Sequence, residues 1–142
     1  MSDEIDVYWR GHLAIDGPTL RAALAALGFE AIILHELSEA KGFWPLEIAG
    51  LRTGFEVYVS NFGEGFEAVS KEMPELDGRD HTATFRFFGD TEGGAAFAVA
   101  AALAKLGGAL ILDRHAGVGI WASSEEAAAK AHGMIRRESD RP

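Results

Sequence analysis

The chain has 142 residues, of which 48% are hydrophobic and 25% are charged, and its 22 acidic and 13 basic residues leave a net charge of −9. These are ordinary values for a folded protein and argue against wholesale disorder. Cysteine is absent, which excludes disulfides, thiolate zinc sites and cysteine nucleophiles. An acidic surface repels phosphate groups, so we expect no direct nucleic-acid or membrane partner, and a basic protein is the better electrostatic match.

No feature of the sequence predicts export or membrane insertion. The first residues, MSDEIDVYW, are acidic and lack the basic-then-apolar pattern of a secretion signal. The longest apolar stretch, Ala95–Leu106, has 12 residues and includes Lys105, so it is too short to span a bilayer. We therefore expect a cytoplasmic protein.

The first elements along the chain read as strand, helix and strand. Residues 6–13 alternate between apolar and polar side chains, which predicts a strand with one buried face. Asp16 is a candidate N-cap for the helix that follows, and Gly28 fits the left-handed position that ends a helix. Residues 31–34 form a short apolar strand.

A hairpin and an acidic connector come next. Residues 43–49 and 55–60 flank a turn that contains two glycines, which predicts paired strands. The connector, residues 61–80, has a net charge of −4 and predicts one short helix over residues 66–73, ended by Pro74.

The second half repeats this order and adds a helix. Asp90 or Thr91 is the candidate cap of a helix that is apolar all round, which predicts burial on more than one side. Ser123 and Glu126 form a capping box for the last helix, in which Glu126 and Lys130 have the spacing of an ion pair. The predicted strands are 82–88, 109–113 and 119–122.

One pattern occurs twice, at Leu20–Ile33 (LRAALAALGFEAII) and Val99–Leu112 (VAAALAKLGGALIL), and a shift of 79 positions aligns the Leu-Gly pair of the first copy with that of the second. Each copy predicts a helix that stops at a glycine, Gly28 or Gly107, and then a buried strand. Each strand–helix–strand unit should cross over right-handed and set its two strands parallel. Chance similarity between two alanine-rich helices is the alternative to duplication.

The predicted fold is α+β, with a mixed, mostly antiparallel sheet, two β-α-β(-β) pseudo-repeats and helices packed on one face. We predict a single domain over residues 1–137. Its pseudo-repeats span about 5–60 and 81–122, the connector spans 61–80, and residues 138–142 form a frayed tail.

Motifs for catalysis or cofactor binding are weak. The stretch Gly89–Gly94 (GDTEGG) lies between a strand and a helix, but it lacks the phosphate-binding glycine pattern and its acids would repel a phosphate. Asp113 and His115 could share a face and bind a metal only with further ligands, such as His35 and Glu36 of the equivalent strand end. We therefore predict no catalytic residue, no metal and no cofactor.

Acidic and aromatic residues cluster after the first repeat. Two glutamates follow its second strand, and the stretch Asn61–Phe66 (NFGEGF) sets two aromatics among glycines and an acid. Aromatic side chains supply contact area and acids steer a basic partner, although a solvated acidic surface with core-packed aromatics would give the same pattern. The predicted partner-binding residues are Glu36, Glu39, Phe62, Glu64, Phe66 and Glu67.

The segment Phe85–Asp113 (FRFFGDTEGGAAFAVAAALAKLGGALILD) resembles a pattern of small bacterial immunity proteins of polymorphic-toxin systems. In that pattern an aromatic strand is followed by Gly-Asp, an alanine-rich helix, Leu-x-Gly-Gly and a strand that ends in Asp. The resemblance implies a protein that binds a cognate toxin and blocks its active site, through contacts that vary with the toxin.

The predicted function is therefore that of a non-enzymatic immunity or antitoxin-like protein, present as a monomer or homodimer. One alternative is a small-molecule-binding or regulatory module that uses a pocket between sheet and helices. Another is an enzyme with scattered catalytic acids.

Overall fold

The computed structural model describes residues 2–11, 15–61, 76, 79, 81–117 and 119–140. Its strands are β1 (Asp3–Trp9), β2 (Ala31–Ile33), β3 (Gly42–Ile48), β4 (Leu51–Asn61), β5 (His81–Phe87), β6 (Leu110–Asp113) and β7 (Trp121–Ala122). Its helices are α1 (Gly17–Ala26), α2 (Gly89–Gly107) and α3 (Ser124–Ser139), and a 3-10 turn spans Leu37–Glu39. Among these described residues, no helix combines the length and apolar character needed to cross a bilayer.

The strands form one sheet in the order β2-β3-β4-β5-β1-β6-β7, and every described pair is antiparallel. The α+β class with helices packed on the sheet is confirmed, whereas the parallel pairs of a mixed sheet do not occur among the described strands. The connections through α1 and α2 each join two strands that run in the same direction, as predicted, but these strands are not neighbours in the sheet. Three strands lie between β1 and β2, and β1 lies between β5 and β6.

The main core lies between the sheet and the helices, and α2 forms its centre. Residues 95–102 of α2 are fully buried, because the helix contacts α1, α3 and four strands of the sheet. The all-apolar pattern of this helix therefore predicted its position correctly.

The ends of the helices match the predicted caps in part. Asp16 caps α1 as predicted, since its Oδ1 accepts the Thr19 N–H at 2.7 Å, and Gly28 has a positive φ of 92°. Both hydrogen bonds of the capping box at Ser123 are present.

Two predicted helix ends are wrong. The cap of α2 is neither Asp90 nor Thr91, because the helix already begins at Gly89 and the Phe88 N–H donates to the Glu92 carboxylate at 3.0 Å. The glycine that ends α2 is Gly108, with φ of 66°, rather than Gly107. Fraying of the tail from residue 138 stays a prediction; α3 extends into this tail as far as Ser139, and the Asp140 N–H donates to the Arg136 carbonyl.

The predicted helix over residues 66–73 lies outside the described residues. Two described residues of the connector contact the rest of the fold, and Leu76 does so on the sheet face opposite the helices. Leu76 is fully buried against Tyr8 and Leu112, and the Arg79 guanidinium donates to the Gly108 carbonyl at 2.7 Å. The connector is therefore attached to the rest of the fold near its own C-terminal end.

Two adjacent glycines let α2 and α3 approach closely. A Cβ atom at Gly94 would lie 2.7 Å from Ile135 Cγ1, and one at Gly93 would lie 2.9 Å from Met134 Sδ. At Gly107, by contrast, a Cβ would meet no heavy atom within 4 Å. The sequence pair Gly93-Gly94 is thus explained by helix packing.

We expect Gly94→Val to lower the free energy of unfolding by about 1–3 kcal/mol, the usual range for overpacking a core. The matched variant Gly107→Ala should be neutral or slightly stabilising, since alanine has the higher helix propensity. Urea unfolding followed by circular dichroism measures both. A Gly94→Val protein as stable as the unmodified chain would contradict this packing.

The cap of α1 should also make stability depend on pH. Hydrogen bonds from the Thr19 side chain and backbone N–H hold the pKa of Asp16 below its usual value. A lowered pKa in the folded state contributes stability above the pKa of the unfolded chain, and this contribution is lost as the pH falls through the folded pKa.

Asp16→Asn keeps an uncharged cap and serves as the comparison. We expect the difference in melting temperature between the unmodified chain and Asp16→Asn to decrease as the pH is lowered from 7 to 3, because the unmodified chain loses the stabilisation from its charged cap. A difference between the two proteins that stays constant over this range would show that the Asp16 charge does not stabilise the helix.

Candidate functional site

Strand direction brings the C-terminal ends of three strands to one end of the sheet. β1, β2 and β4 run in the same direction, so all three terminate at the same end, at Trp9, Ile33 and Asn61. We call this the carboxyl end. Glu36 and Glu39 follow β2 there, and the chain enters the connector from β4 at the same end.

The loop after β2 is fixed by two interactions. Leu37 is buried in the core, and the Trp44 indole N–H donates to the His35 carbonyl at 3.0 Å. Glu39, in the last position of the 3-10 turn, is exposed. This turn thus presents the Glu39 carboxylate to solvent at the carboxyl end.

Glu36 has a different environment from the one predicted. Its Oε2 accepts the Gly17 N–H at 3.0 Å, which satisfies one of the unpaired donors at the start of α1. Glu36 therefore positions α1 against β2, whereas Glu39 is available to a partner. The other four predicted residues, Phe62, Glu64, Phe66 and Glu67, lie outside the described residues.

A groove runs between α1 and the edge strand β2. Its volume is about 690 Å³, and it is open along the edge of the sheet. The helix contributes mostly small side chains, and the strand contributes apolar ones. We call it the α1–β2 groove; its lining residues are Gly17, Pro18, Arg21, Ala22, Ala25, Ile32, Ile33, Leu34, His35 and Glu36.

A second cleft, of about 500 Å³, lies between α3 and β7. Within it the Asp113 side chain is 4% exposed and its Oδ2 lies 2.5 Å from Lys130 Nζ. The Ala116 N–H donates to the other carboxylate oxygen at 3.0 Å, and Nζ lies 5.0 Å from the centre of the Phe97 ring. The Lys130 ammonium and the Ala116 N–H stabilise this carboxylate and offset the unfavourable effect of its burial. We call this site the α3–β7 cleft.

The pair between Asp113 and Lys130 was missed in the sequence. The spacing of four predicted that Lys130 would pair with Glu126, a solvent-exposed partner. A carboxylate buried at the end of β6 needs a cation far more than an exposed one does, and Lys130 satisfies that need. Only the three-dimensional approach of α3 to β6 reveals the pair.

Asp113 and His115 do not form a metal site with His35 and Glu36, because the fold separates the two pairs. β6 runs opposite to β2 and ends at the other end of the sheet, so the two strand ends lie far apart. His115 Nδ1 instead lies 3.1 Å from Asp3 Oδ2. Within the described ranges, no group of three or more His, Asp or Glu side chains is arranged to hold a metal.

The sheet face opposite the helices carries a buried polar cluster. Asp6 is 7% exposed; it accepts the Thr84 hydroxyl at 2.7 Å and lies 3.0 Å from the Arg114 Nε. Arg114 also pairs with Glu4. Burial raises the pKa of the neighbouring Tyr8 hydroxyl, and the Asp6 carboxylate raises it further. These side chains bond to one another and thereby stabilise this face.

The same face exposes three aromatic side chains, Phe43, Tyr58 and Phe88, each about half exposed. Phe43 lies across Gly54, where a Cβ would be 2.6 Å from the ring. No residue of the predicted site lies in this group. The alternation of β3 and β4 was a signal that could have identified Phe43 and Tyr58 as facing away from the core.

Comparison with protein families, curated proteins and solved structures finds no significant match to this chain. The candidate sites are therefore judged on their residues and geometry.

We expect Lys130→Met to lower the free energy of unfolding by about 2 kcal/mol, because it leaves a buried carboxylate without its cation; the figure is below the range for fully buried pairs since Lys130 is partly exposed. The control is Lys105→Met on the exposed surface of α2, which should change stability by less than about 0.5 kcal/mol. Urea unfolding at pH 7 measures both. Equal effects of the two substitutions would contradict the role of the pair.

Proposed function

We propose that the chain is a non-enzymatic cytoplasmic protein that binds a basic protein partner, and that this partner is a bacterial toxin whose active site it occludes. The observation that carries the proposal is that β2 and β4 terminate at the same end of the sheet. The turn after β2 exposes Glu39 there, and Asn61 at the end of β4 precedes in sequence the stretch that contains Phe62, Glu64 and Phe66.

Charge supports a basic partner. Residues 1–75 hold 13 acidic and 5 basic residues, a balance of −8, whereas residues 76–142 hold 9 and 8, a balance of −1. The connector alone contributes a net charge of −4. A concentrated negative potential accelerates the approach of a basic protein and orients it before contact.

The chemistry of the carboxyl end supports binding by contact. Phenylalanine side chains suit the apolar centre of an interface and glutamates suit its charged rim, and the stretch after Asn61 contains both residue types. Occlusion needs no covalent step, because a partner held at this end is blocked from its own substrate. The resemblance of Phe85–Asp113 to immunity proteins supports a toxin as the partner.

The test begins with the tagged chain, which is used to capture a partner from the source organism. The captured protein is then purified, and both its toxic activity and its association rate with the chain are measured. We expect the chain to inhibit that activity when the two proteins are present at equal concentrations. We also expect their association rate to fall steeply as the salt concentration rises. A partner whose activity is unaffected, or whose association rate is independent of salt, would contradict it.

Charge reversals locate the surface. Glu39→Lys, Glu64→Lys and Glu67→Lys should each slow association by roughly three- to tenfold, the usual size of an effect of one steering charge. The control is Asp140→Lys, an exposed acid that follows α3 at the opposite end of the sheet. If Asp140→Lys slowed association as much as Glu39→Lys did, steering would come from overall charge and not from the carboxyl end.

A second candidate function is a small-molecule-binding or regulatory module, favoured by the α3–β7 cleft. Its volume of about 500 Å³ lies in the range of ligand sites, and polar groups converge in it around Asp113 and Lys130. A thermal-shift screen against metabolites and metal ions tests this function. A ligand at a hundred times its Kd should stabilise the protein by about 2.7 kcal/mol, and Lys130→Met should remove that shift.

A further inference from the structure

We propose that the sheet face opposite the helices carries a binding site for an arginine side chain, formed by Phe43, Glu56 and Tyr58. The basic partner of the proposed function supplies the arginine, and in that respect this inference rests on the proposed function. Binding of the guanidinium group is nevertheless a property of these three side chains, so it can be measured without the partner.

The pairing of β3 with β4 sets the three side chains next to one another. Phe43 lies directly opposite Glu56 across the two strands, and Tyr58 follows Glu56 by two residues along β4. Alternate residues of a strand project from the same face. Phe55 and Val57 are buried in the core, so the residues between and beside them project away from it. Glu56 therefore has one aromatic neighbour on β3 and another on its own strand.

Both aromatic rings are open to solvent. Phe43 is 56% exposed and Tyr58 is 48% exposed, although each lies within a strand of the sheet. The Phe43 ring lies over Gly54, where a Cβ atom would be 2.6 Å from the ring. The absence of that side chain lets the ring rest against the backbone with its outer surface exposed. A planar cation can stack on such a surface, because the face of an aromatic ring carries negative charge.

The Glu56 carboxylate is incompletely paired. Its Oε2 atom is buried, and no described residue gives it a hydrogen bond. Arg86 Nη1 lies 3.9 Å away, beyond hydrogen-bond range, and Arg86 Nε donates instead to the Ser2 hydroxyl at 3.1 Å. A buried oxygen without a donor is unfavourable. The side chain as a whole is 33% exposed, so a donor from another molecule can approach this carboxylate.

An arginine side chain fits this arrangement better than a lysine side chain does. Its guanidinium is planar, stacks on aromatic rings and can donate two parallel N–H groups to one carboxylate. A lysine ammonium is more strongly hydrated and has no flat surface. One arginine can therefore bond to Glu56 and cover the outer surface of a neighbouring ring at the same time.

Charge selects a basic protein as the source of this arginine. Residues 30–51, which include β2, the 3-10 turn and β3, hold four glutamates and one lysine, Lys41, a balance of −3. A second copy of the chain would bring the same acidic surface and would be repelled. Tyr58 lies three residues before the end of β4 at Asn61. The site thus adjoins the carboxyl end, where the proposed partner binds.

An NMR titration of the isotopically labelled full chain tests the site directly. The probes are two synthetic peptides of equal length, one of alternating glycine and arginine and the other of alternating glycine and lysine. We expect the arginine peptide to shift the signals of Phe43, Glu56 and Tyr58. It should bind about two- to fivefold more tightly than the lysine peptide, the usual size of one exposed stacking contact with a cation.

Substitutions separate the carboxylate from the rings. Phe43→Ala and Glu56→Gln should each weaken binding of the arginine peptide about two- to fivefold. Tyr58→Phe keeps the ring and should bind like the unmodified chain, whereas Tyr58→Ala should bind more weakly. One control is Glu47→Gln, a glutamate on the same face that is 28% exposed and bonded to Arg52. It should change the affinity by less than about twofold.

Three results would overturn the arginine site. The first is an arginine peptide that leaves the signals of Phe43, Glu56 and Tyr58 unchanged. The second is equal affinity for the two peptides, which would show attraction by overall charge only. The third is a Glu47→Gln protein that loses as much affinity as Glu56→Gln does.

The captured partner separates the arginine site from the proposed function. A contact made at close range acts mainly on the dissociation rate, so Phe43→Ala and Glu56→Gln should speed dissociation of the complex about two- to fivefold. If Glu39→Lys slows association while these two variants leave dissociation unchanged, the basic partner stands and the arginine site fails. If the arginine peptide binds as expected and no basic partner is captured, the arginine site stands and the proposed function fails.

Discussion

The burial of α2 is the constraint on which the rest of the structure depends. Residues 95–102 have no exposed surface, so this helix requires the sheet below it and a helix on each side. The glycine pair at Gly93 and Gly94 brings α3 into contact, and α1 covers the remaining side. The three described helices thus occupy one face of the sheet, and they leave the other face, the edge strand β2 and the carboxyl end uncovered by helix.

The predictable part of the fold follows local rules. The repeat at Leu20–Ile33 and Val99–Leu112 correctly placed two helices, each followed by a strand, because apolar periodicity and glycine stops act over a few residues. The neighbours of each strand could not be predicted in this way. β1 and β2 run in the same direction but are separated by three strands, and β5 and β6 are separated by β1, because the hairpin strands and β5 pair antiparallel with their neighbours. Such pairing depends on contacts far apart in sequence.

The candidate site was predictable to a lesser extent. The sequence identified the acids after β2, but it could not assign Glu36 to the N-terminus of α1, since that bond joins residues 19 positions apart. The sequence also predicted an ion pair between Lys130 and Glu126, because the approach of Lys130 to its actual partner, the buried Asp113, depends on the fold. Local spacing describes exposed pairs well, whereas a buried charge is matched by whatever the fold brings near it. Phe62, Glu64, Phe66 and Glu67 remain predictions.

The central claim is that the carboxyl end, where Glu39 is exposed and β4 ends, binds a basic protein. The most direct measurement is a set of backbone NMR spectra of the labelled chain with and without the captured partner. We expect the amide signals of Leu37–Glu39 and of the residues after Asn61 to shift or broaden on binding, while those in the second half of α3 do not. Changes confined to the α3–β7 cleft, with no change at the carboxyl end, would contradict binding at the carboxyl end.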